Sequence, residues 1–530
     1  MSEMKKLTEL FSAGKMNRRE FMQRAAAAGI MSVVPFAMSS IPAKAAGPNK
    51  GGRLRMGLTN ASTADSFDPA TACCASWEIC ITFQTRNCMV EIDNKGRPIP
   101  ELAESWETND SATRWVFKLR KGVEFHNGKT MDAKDVVYSI NHHRAEESKS
   151  PAKPLLSSVK SIQADGKYSV IFDMHDGYAL LPALLSDYHL QIVPDEYSTW
   201  MDGLGTGGYR LVEFEPGVRS MTKRNPNYWK TGRAHFDEIE CIGIHDTNTR
   251  INALKAGEVD IIDQPELRTV HLLGKTKGLQ VMRVTGLRHY TIPMLTDVKP
   301  YDDNNVRLAL KNAIDREELL KTILNGYGSI GNDHPIAPIM RYHASGIPTR
   351  SYDPDKAAHY LKKAGLSGHT FKLHAADAAF AGAVDTAILI RESAAKAGID
   401  VQVVREPDDG YWTNVWRKKP WCFCYWSGRV TEDMMFSTAY AADGSWNDTH
   451  WQNERFNTLL KTARKELDDA KRREIYVEMQ QVVRDDGGTI VPLFADHVMA
   501  ATDRLRFEEP LAGHVELDGG RGTEKWWFAS

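Results

Sequence analysis

Pro100-Glu101-Leu102-Ala103-Glu104-Ser105-Trp106, then Trp115-Val116-Phe117-Lys118-Leu119-Arg120-Lys121-Gly122-Val123-Glu124-Phe125-His126-Asn127-Gly128, then Asp132-Ala133-Lys134-Asp135-Val136-Val137-Tyr138 form the stretch from which this fold is read. Trp115 to Leu119 alternates apolar with polar or smaller side chains, the pattern of a half-buried strand. Lys121-Gly122 is a turn, and Val123 to Phe125 alternates again. His126-Asn127-Gly128 makes a second turn, because Asn-Gly tolerates positive backbone φ. Asp132 is placed to cap a helix with Val136, Val137 and Ile140 apolar. The side chains of this strand–turn–strand–turn–helix unit pack and cap; they make no reactive constellation.

On the N-terminal side, Gly51 to Leu58 reads as a first strand and Thr59 to Pro69 as the loop after it. On the C-terminal side, Tyr168 to Phe172 is a further strand. Gly203-Leu204-Gly205-Thr206-Gly207-Gly208 satisfies Gly-x-Gly-x-x-Gly, but a dinucleotide fingerprint needs a helix after it. Tyr209 to Phe214 alternates like a strand, so the nucleotide reading is rejected. Arg250 to Gly257 predicts a short helix closed by glycine, and Asp260 to Ile262 a strand. Val306, Ala309, Leu310, Ala313 and Ile314 share one helical face, with Asp302 and Asp303 as caps. Asp315 starts the next helix, and Asp353-Pro354 starts another. A helix around 386–397 leads into a strand over Ile399 to Val404, an α/β order. Two late helices precede a return strand, Thr489 to Phe494.

This long ordered pattern closely resembles the periplasmic solute-binding proteins of the oligopeptide, dipeptide, nickel and opine ABC importers, extracellular solute-binding protein family 5. Gly205-Thr206-Gly207-Gly208-Tyr209 is similar to that family's Gly-Thr-Gly-Pro-Tyr element, with Gly208 in place of Pro. Asn225-Pro226-Asn227-Tyr228-Trp229 is also family-like. The resemblance extends from about Gly51 to the C-terminus. It implies an α/β, two-lobed periplasmic-binding-protein fold (type II, large form) with an inserted extra domain. By that likeness, residues 47–88, 205–295 and 500–530 form lobe I, 89–204 the inserted domain, and 296–499 lobe II.

The bulk properties agree with a multi-domain binder. The 530 residues exceed the roughly 250–300 at which a single core stops growing. A net charge of −2 gives no electrostatic case for nucleic acid or an anionic membrane. The first 46 residues are expected to be an export leader. Lys5, Lys6 and Lys15 are basic, Asn17-Arg18-Arg19-Glu20-Phe21-Met22-Gln23 resembles a twin-arginine motif, and Ala25 to Met38 is weakly apolar. Ala43-Lys44-Ala45 predicts cleavage near Ala45/Ala46. No Cys follows that site, so a periplasmic protein without a lipid anchor is expected. The seven Cys leave at least one thiol free if all bonds are internal, and their spacing does not match a zinc site.

A ligand held between lobes needs apolar walls, a few fixed polar groups and opposite charge. Tyr411-Trp412-Thr413-Asn414-Val415-Trp416 and Trp421-Cys422-Phe423-Cys424-Tyr425-Trp426-Ser427-Gly428-Arg429 combine aromatics, a bend and a cation. The competing reading is a Trp-rich core strand with Arg429 solvated or paired to Glu432 or Asp433. In the family's peptide-binding members the matching segment resembles Trp-x-x-Asp, whose Asp holds the ligand's ammonium group. Arg429 inverts that charge and implies a carboxylate or other oxyanion, as in an opine or an N-blocked amino acid derivative. Asp433, four residues on, is the alternative ammonium partner. Tyr440 and Trp446 are further cleft aromatics, with core packing as the competing reading. Ser62 and Thr63 follow the first strand, where the family's loop reaches the ligand; the plainer reading is a surface turn. Arg86 and Asn87 stand where the chain leaves lobe I, and Arg288, His289 and Tyr290 where it returns to lobe II. His142-His143 reads as a solvated helix face, and no His cluster has metal-ligand spacing.

The expected function is capture of a small organic solute or short peptide by a monomer that delivers it to an inner-membrane ABC permease. No catalysis, cofactor or metal is expected. The alternatives are an exported enzyme, or a periplasmic sensor or chaperone on the same scaffold. The chain carries no Gly-x-Ser-x-Gly elbow, His-Glu-x-x-His or phosphate loop to favour an enzyme.

Overall fold

Arg114–Leu119 is a strand with Trp115, Phe117 and Leu119 buried and Arg114 and Lys118 exposed, as its alternation dictates. It pairs with Ala103–Thr108 and Ser169–Met174, and Val159–Ala164 completes a four-stranded antiparallel sheet. Asp132 caps the helix Ala133–Arg144 by accepting from Lys134 N at 2.9 Å. Two expectations fail here. Val123 to Phe125 is no strand: Gly122 and Gly128, both at positive φ, close turns on either side, and only Glu124 bridges to Thr130. His142-His143 is no solvated face. His143 is fully buried with Nδ1 2.7 Å from Ser150 Oγ, because the last helical turn packs under the loop that carries Ser150. His142 is bonded to Asp68 and stacked on Trp200.

The computed structural model describes residues 48–71 and 76–529. The expected export leader, and Cys73 and Cys74, lie outside them. The five described cysteines are all buried and free. Among the described residues no cluster of three His, Cys, Asp or Glu could hold a metal, and no helix is long and apolar enough to cross a membrane.

Nine strands make the main sheet. In chain order they are β1 Arg53–Leu58, β2 Tyr209–Glu215, β3 Arg219–Arg224, β4 Glu238–Gly243, β5 Ile261–Asp263, β6 Leu279–Pro293, β7 Gly328–Ile330, β8 Cys424–Trp426 and β9 Thr489–Thr502. Across the sheet the order is β8-β6-β9-β5-β1-β4-β3-β2, with β7 also on β9. β1 runs parallel to β4 and β5, and the remaining pairs are antiparallel. The return strand expected over Thr489 to Phe494 therefore continues to Thr502. A separate parallel pair, Thr370–Ala375 with Asp400–Arg405, is flanked by the helix Ala383–Ala395.

β6 and β9 supply side chains to four hydrophobic clusters. Met282 and Met499 join Leu54, Trp77 and Trp526. Val498 and Ala500 join Leu254 and Val270. Ile292 and Leu493 join Leu310, Phe371 and Trp421. Leu287 and Phe494 join Phe117, Val136, Phe436 and Tyr476.

Buried ion pairs cross-link segments that are distant in sequence. Glu101 has no solvent exposure and takes both guanidinium nitrogens of Arg521, at 2.7 and 2.8 Å. It also accepts from Lys230 Nζ at 2.8 Å, Asn87 Nδ2 at 2.9 Å and Cys88 N at 3.0 Å. Lys230 reaches Glu91 and Glu524 as well. Burial would lower the Lys230 ammonium, but Glu101, Glu524 and Glu91 hold it well above its ordinary value. Elsewhere, fully buried Asp333 binds Arg316 and Arg350, each at 2.7 Å.

Glu101→Gln keeps the shape and removes the charge, leaving Lys230 and Arg521 under-compensated. Its urea midpoint should fall by an amount worth roughly 3 kcal/mol. Glu238→Gln, which breaks only solvent-accessible pairs with Arg53 and Lys223, should leave the midpoint nearly unchanged. Glu91 and Glu524 are held below the ordinary range, since nearby cations outweigh burial. Their stabilisation should be complete above about pH 4.3 and be lost as pH falls below it, measured as the midpoint against pH.

Candidate functional site

A cavity of about 610 Å³ opens where β8 and the segment after it face the helix Ser76–Thr85, residues 186–189 and residues 514–521. Its walls are mostly apolar. Trp412, Trp416, Tyr425, Trp426 and Trp446 make an aromatic belt, faced by Ile79, Phe83 and Val515. Rings within the belt meet edge-on or tilted at 5.8–6.5 Å, the geometry aromatic quadrupoles favour. Trp412, Tyr425 and Trp446 remain 40%, 37% and 47% exposed, so apolar surface faces the cavity instead of a core. Beneath the belt, buried Asp448 accepts from Trp416 Nε1 at 3.2 Å, which fixes that ring. Burial pushes the Asp448 carboxyl up to about 6, against the opposing effect of the indole donors of Trp416 and Trp426.

β8 pairs antiparallel with β6, Tyr425 opposite Tyr290 and Trp426 opposite His289. The chain then bends at Gly428, φ +24°, where a Cβ would lie 2.1 Å from Leu287 Cβ. Only glycine lets the two backbones approach this closely, and that approach carries Arg429 into the wall. Arg429 is half-buried, and its Nη1 donates to the Gly428 carbonyl at 2.9 Å. No carboxylate among the described residues forms an ion pair with it.

Two acids line the same cavity, each with partners of its own. Asp187 lies 2.6 Å from His189 Nδ1. Burial would raise its carboxyl, but His189 and then Arg429 outweigh burial and hold it below the ordinary range. Glu516 accepts from Ser76 Oγ and, at 3.1 Å, from Gln264 Nε2, with His497 Nδ1 at 3.5 Å. Burial would raise this carboxyl too; His497, Arg288 and Ser76 reverse the sign. Glu516 begins a left-handed turn in which Leu517, Asp518, Gly519 and Gly520 all have positive φ. Leu517 and Asp518 pay roughly 1–2 kcal/mol each for that conformation. Asp518 offsets it by accepting from Ala512 N at 2.7 Å and from Lys525 Nζ at 3.2 Å.

Of the residues singled out from sequence, Trp412, Trp416, Tyr425, Trp426, Ser427, Gly428, Arg429 and Trp446 come together on this cavity. The others lie elsewhere. Asp433 is paired with Arg464 at 2.8 Å and accepts from Tyr178. Tyr440 is buried against Phe436. Tyr290 stacks on Phe380 with ring centroids 3.8 Å apart. Arg86 is fully buried and donates to the Phe67 and Leu204 carbonyls. Asn87 bonds Glu101, Thr206 and Trp229. Ser62 and Thr63 sit in an exposed turn closed by Asp65. Conversely, Asp187, His189, His497 and Glu516 line the cavity without any local sequence signal. Arg288, named from the sequence together with His289 and Tyr290, also lines it.

Comparison with known proteins places this geometry in a family. The dipeptide-binding protein of Escherichia coli K12 is 25% identical over 442 residues, which are 74% of this chain and 80% of that protein. The solved structure of the Helicobacter pylori periplasmic binding protein DppA with peptide STSA aligns with TM-score 0.74 at 22% identity, over 91% of this chain and 99% of that one. The periplasmic binding protein AgaA of A. tumefaciens R10 with agropinic acid aligns with TM-score 0.74 at 23% identity, over 90% and 99%. The fold is therefore that of the two-lobed periplasmic binding proteins. A family model described as bacterial extracellular solute-binding proteins, family 5 middle, matches residues 97–448, about two thirds of the sequence. This chain belongs to the bacterial extracellular solute-binding proteins of family 5.

Proposed function

We propose that the cavity holds a small organic solute with a carboxylate or other oxyanion and an apolar or aromatic body, such as an opine or an N-blocked amino acid derivative. The protein acts in ABC import as the solute-binding component, and family 5 members bind their solutes without catalysing a reaction on them. The observation that carries the ligand class is Arg429, a half-buried guanidinium without a carboxylate partner beside five aromatic rings. A planar guanidinium fork recognises carboxylate, and an ammonium at the same place would be repelled. The related protein AgaA is complexed with an acid, agropinic acid. The Escherichia coli relative is named for dipeptides, and peptide-binding members of the family resemble Trp-x-x-Asp where this chain reads Trp426-Ser427-Gly428-Arg429.

In this reading residues 47–88, 205–295 and 500–530 form one lobe, 296–499 the second and 89–204 the insert. The cluster of Leu54, Trp77, Tyr209, Met282, Met499 and Trp526 fits the first boundary, save for its single step into β9, and that of Leu310, Phe371 and Trp421 fits the second, save for Ile292 and Met294 at the end of β6 and just beyond it. The ligand shifts the equilibrium between open and closed lobes, and the closed form docks on the permease. Export follows the twin-arginine route through Asn17-Arg18-Arg19, with cleavage near Ala45/Ala46.

A thermal-shift screen of the mature protein against peptides, opines, amino acid derivatives, sugars and Ni²⁺ should return anionic hits, each recovered chemically unchanged. Arg429→Asp should lose those hits, with affinity falling at least about 100-fold, while its circular dichroism stays that of the wild type; hits retained by the variant would refute the carboxylate assignment. Replacing Arg18 and Arg19 together by Lys should leave uncleaved precursor in the cytoplasmic fraction, and normal export of that variant would rule out the route.

A further inference from the structure

β6 and β9 pair along most of their length, but the register slips beside the cavity. Thr285 faces Asp496 and His289 faces Phe494, so Gly286, Leu287 and Arg288 stand opposite Ala495 alone. An insertion of this kind bends a strand and re-aims a side chain. It is held by close packing, since a Cβ on Gly286 would lie 2.6 Å from the Ala495 carbonyl oxygen. The side chain so displaced, Arg288, lines the cavity.

Arg288 is half-buried and lacks the carboxylate partner that buried arginines other than Arg86 have. Arg521 is clamped by Glu101, Arg250 lies on Asp263, and Arg316 and Arg350 share Asp333. The Nε of Arg288 is buried and has no hydrogen-bond partner. Among the described residues no carboxylate pairs with it; Glu516 feels its field but is bonded to Ser76, Gln264 and His497. The β6–β8 register, His289 opposite Trp426, places Arg288 next to Ser427 and so within one strand spacing of the Arg429 segment. Two guanidinium groups without carboxylate partners thus face one mostly apolar cavity, Arg288 from β6 and Arg429 from the segment after β8. Desolvated like charges are costly unless a counter-charge arrives.

We propose that Arg288 is a second anion-recognising residue, and that with Arg429 it selects a ligand carrying two anionic groups on an apolar or aromatic body. The proposal rests on the reading of the cavity as an anion site. Each guanidinium takes one carboxylate through paired N–H donors, and the aromatic belt packs against the body between them. A ligand with a single carboxylate leaves one guanidinium unpaired in a desolvated wall, which is the basis of discrimination.

Calorimetric titration of the mature protein with two probe pairs tests this. Isophthalate and a biphenyl dicarboxylate are each compared with the monoamide of the same acid. The wild type should bind at least one diacid about tenfold or more tightly than its monoamide. Arg288→Gln should bind the two alike, and its melting temperature should fall only slightly, because Glu516 loses the field of Arg288 but keeps Ser76, Gln264 and His497. Equal binding of diacid and monoamide by the wild type, with both lost in Arg429→Asp, would overturn the second site while leaving the single-anion reading intact. A preference that survives Arg288→Gln, or a marked drop in that variant's melting temperature, would also overturn it. Failure of every anion to bind would sink both readings.

Discussion

The antiparallel pairing of β6 with β9 is the constraint on which the rest of the molecule depends. The two strands run through four hydrophobic clusters and contribute side chains to each. β9 also carries β5 near one end and β7 near the other, and β6 carries β8. A shift of either strand by one residue in this register would turn every inward side chain of that strand outward. The ladder slips twice, between Thr285 and His289 and between Tyr290 and Ile292, and the cavity lies at the first. Elsewhere the hydrogen-bond ladder demands uniform alternation; at the slip the demand relaxes, and polar side chains are free to face the cavity.

Buried charge does a different job from buried hydrocarbon here. Around Glu101 three carboxylates, Glu91, Glu101 and Glu524, are balanced by three cations, Lys230, Arg233 and Arg521. Such a network gains little over an apolar core of the same volume, since desolvation cancels most of the attraction. What it adds is intolerance of misplacement: each group is satisfied in one arrangement, whereas apolar side chains repack. The cavity uses the opposite arrangement. Arg429 and Arg288 are half-buried and make no ion pair with a carboxylate among the described residues, so charge that the Glu101 cluster balances internally is left open to the cavity.

Local signals were legible in the sequence, and long-range ones were not. Asp132, Asp303, Asp315 and Asp353 all cap helices as their positions imply, because capping is decided within four residues. β6 left no pattern, because Gly286-Leu287-Arg288-His289 interrupts the alternation that marks a strand. Val123 to Phe125 misled for the reverse reason: three alternating residues suit a turn as well as a strand. At the cavity, the aromatic run between 411 and 446 was legible as composition. Which rings face a core and which a void was not: Trp421 has no exposure, while Trp446, from the same region, is about half exposed. Asp187 and Glu516 are separated by more than 300 residues and share a wall only through tertiary packing.

The bond between Glu101 and Arg521 spans 420 positions of the chain. At a ribosomal rate of about 5–20 residues per second, roughly 20–80 s separate the synthesis of the two partners. Throughout that interval Glu101, and from its own synthesis Lys230, lack the guanidinium that completes their cluster. The core around β1, which includes Trp526, can therefore be completed only after these last partners have been synthesised. A polypeptide ending before Arg521 would leave Glu101 buried without that guanidinium.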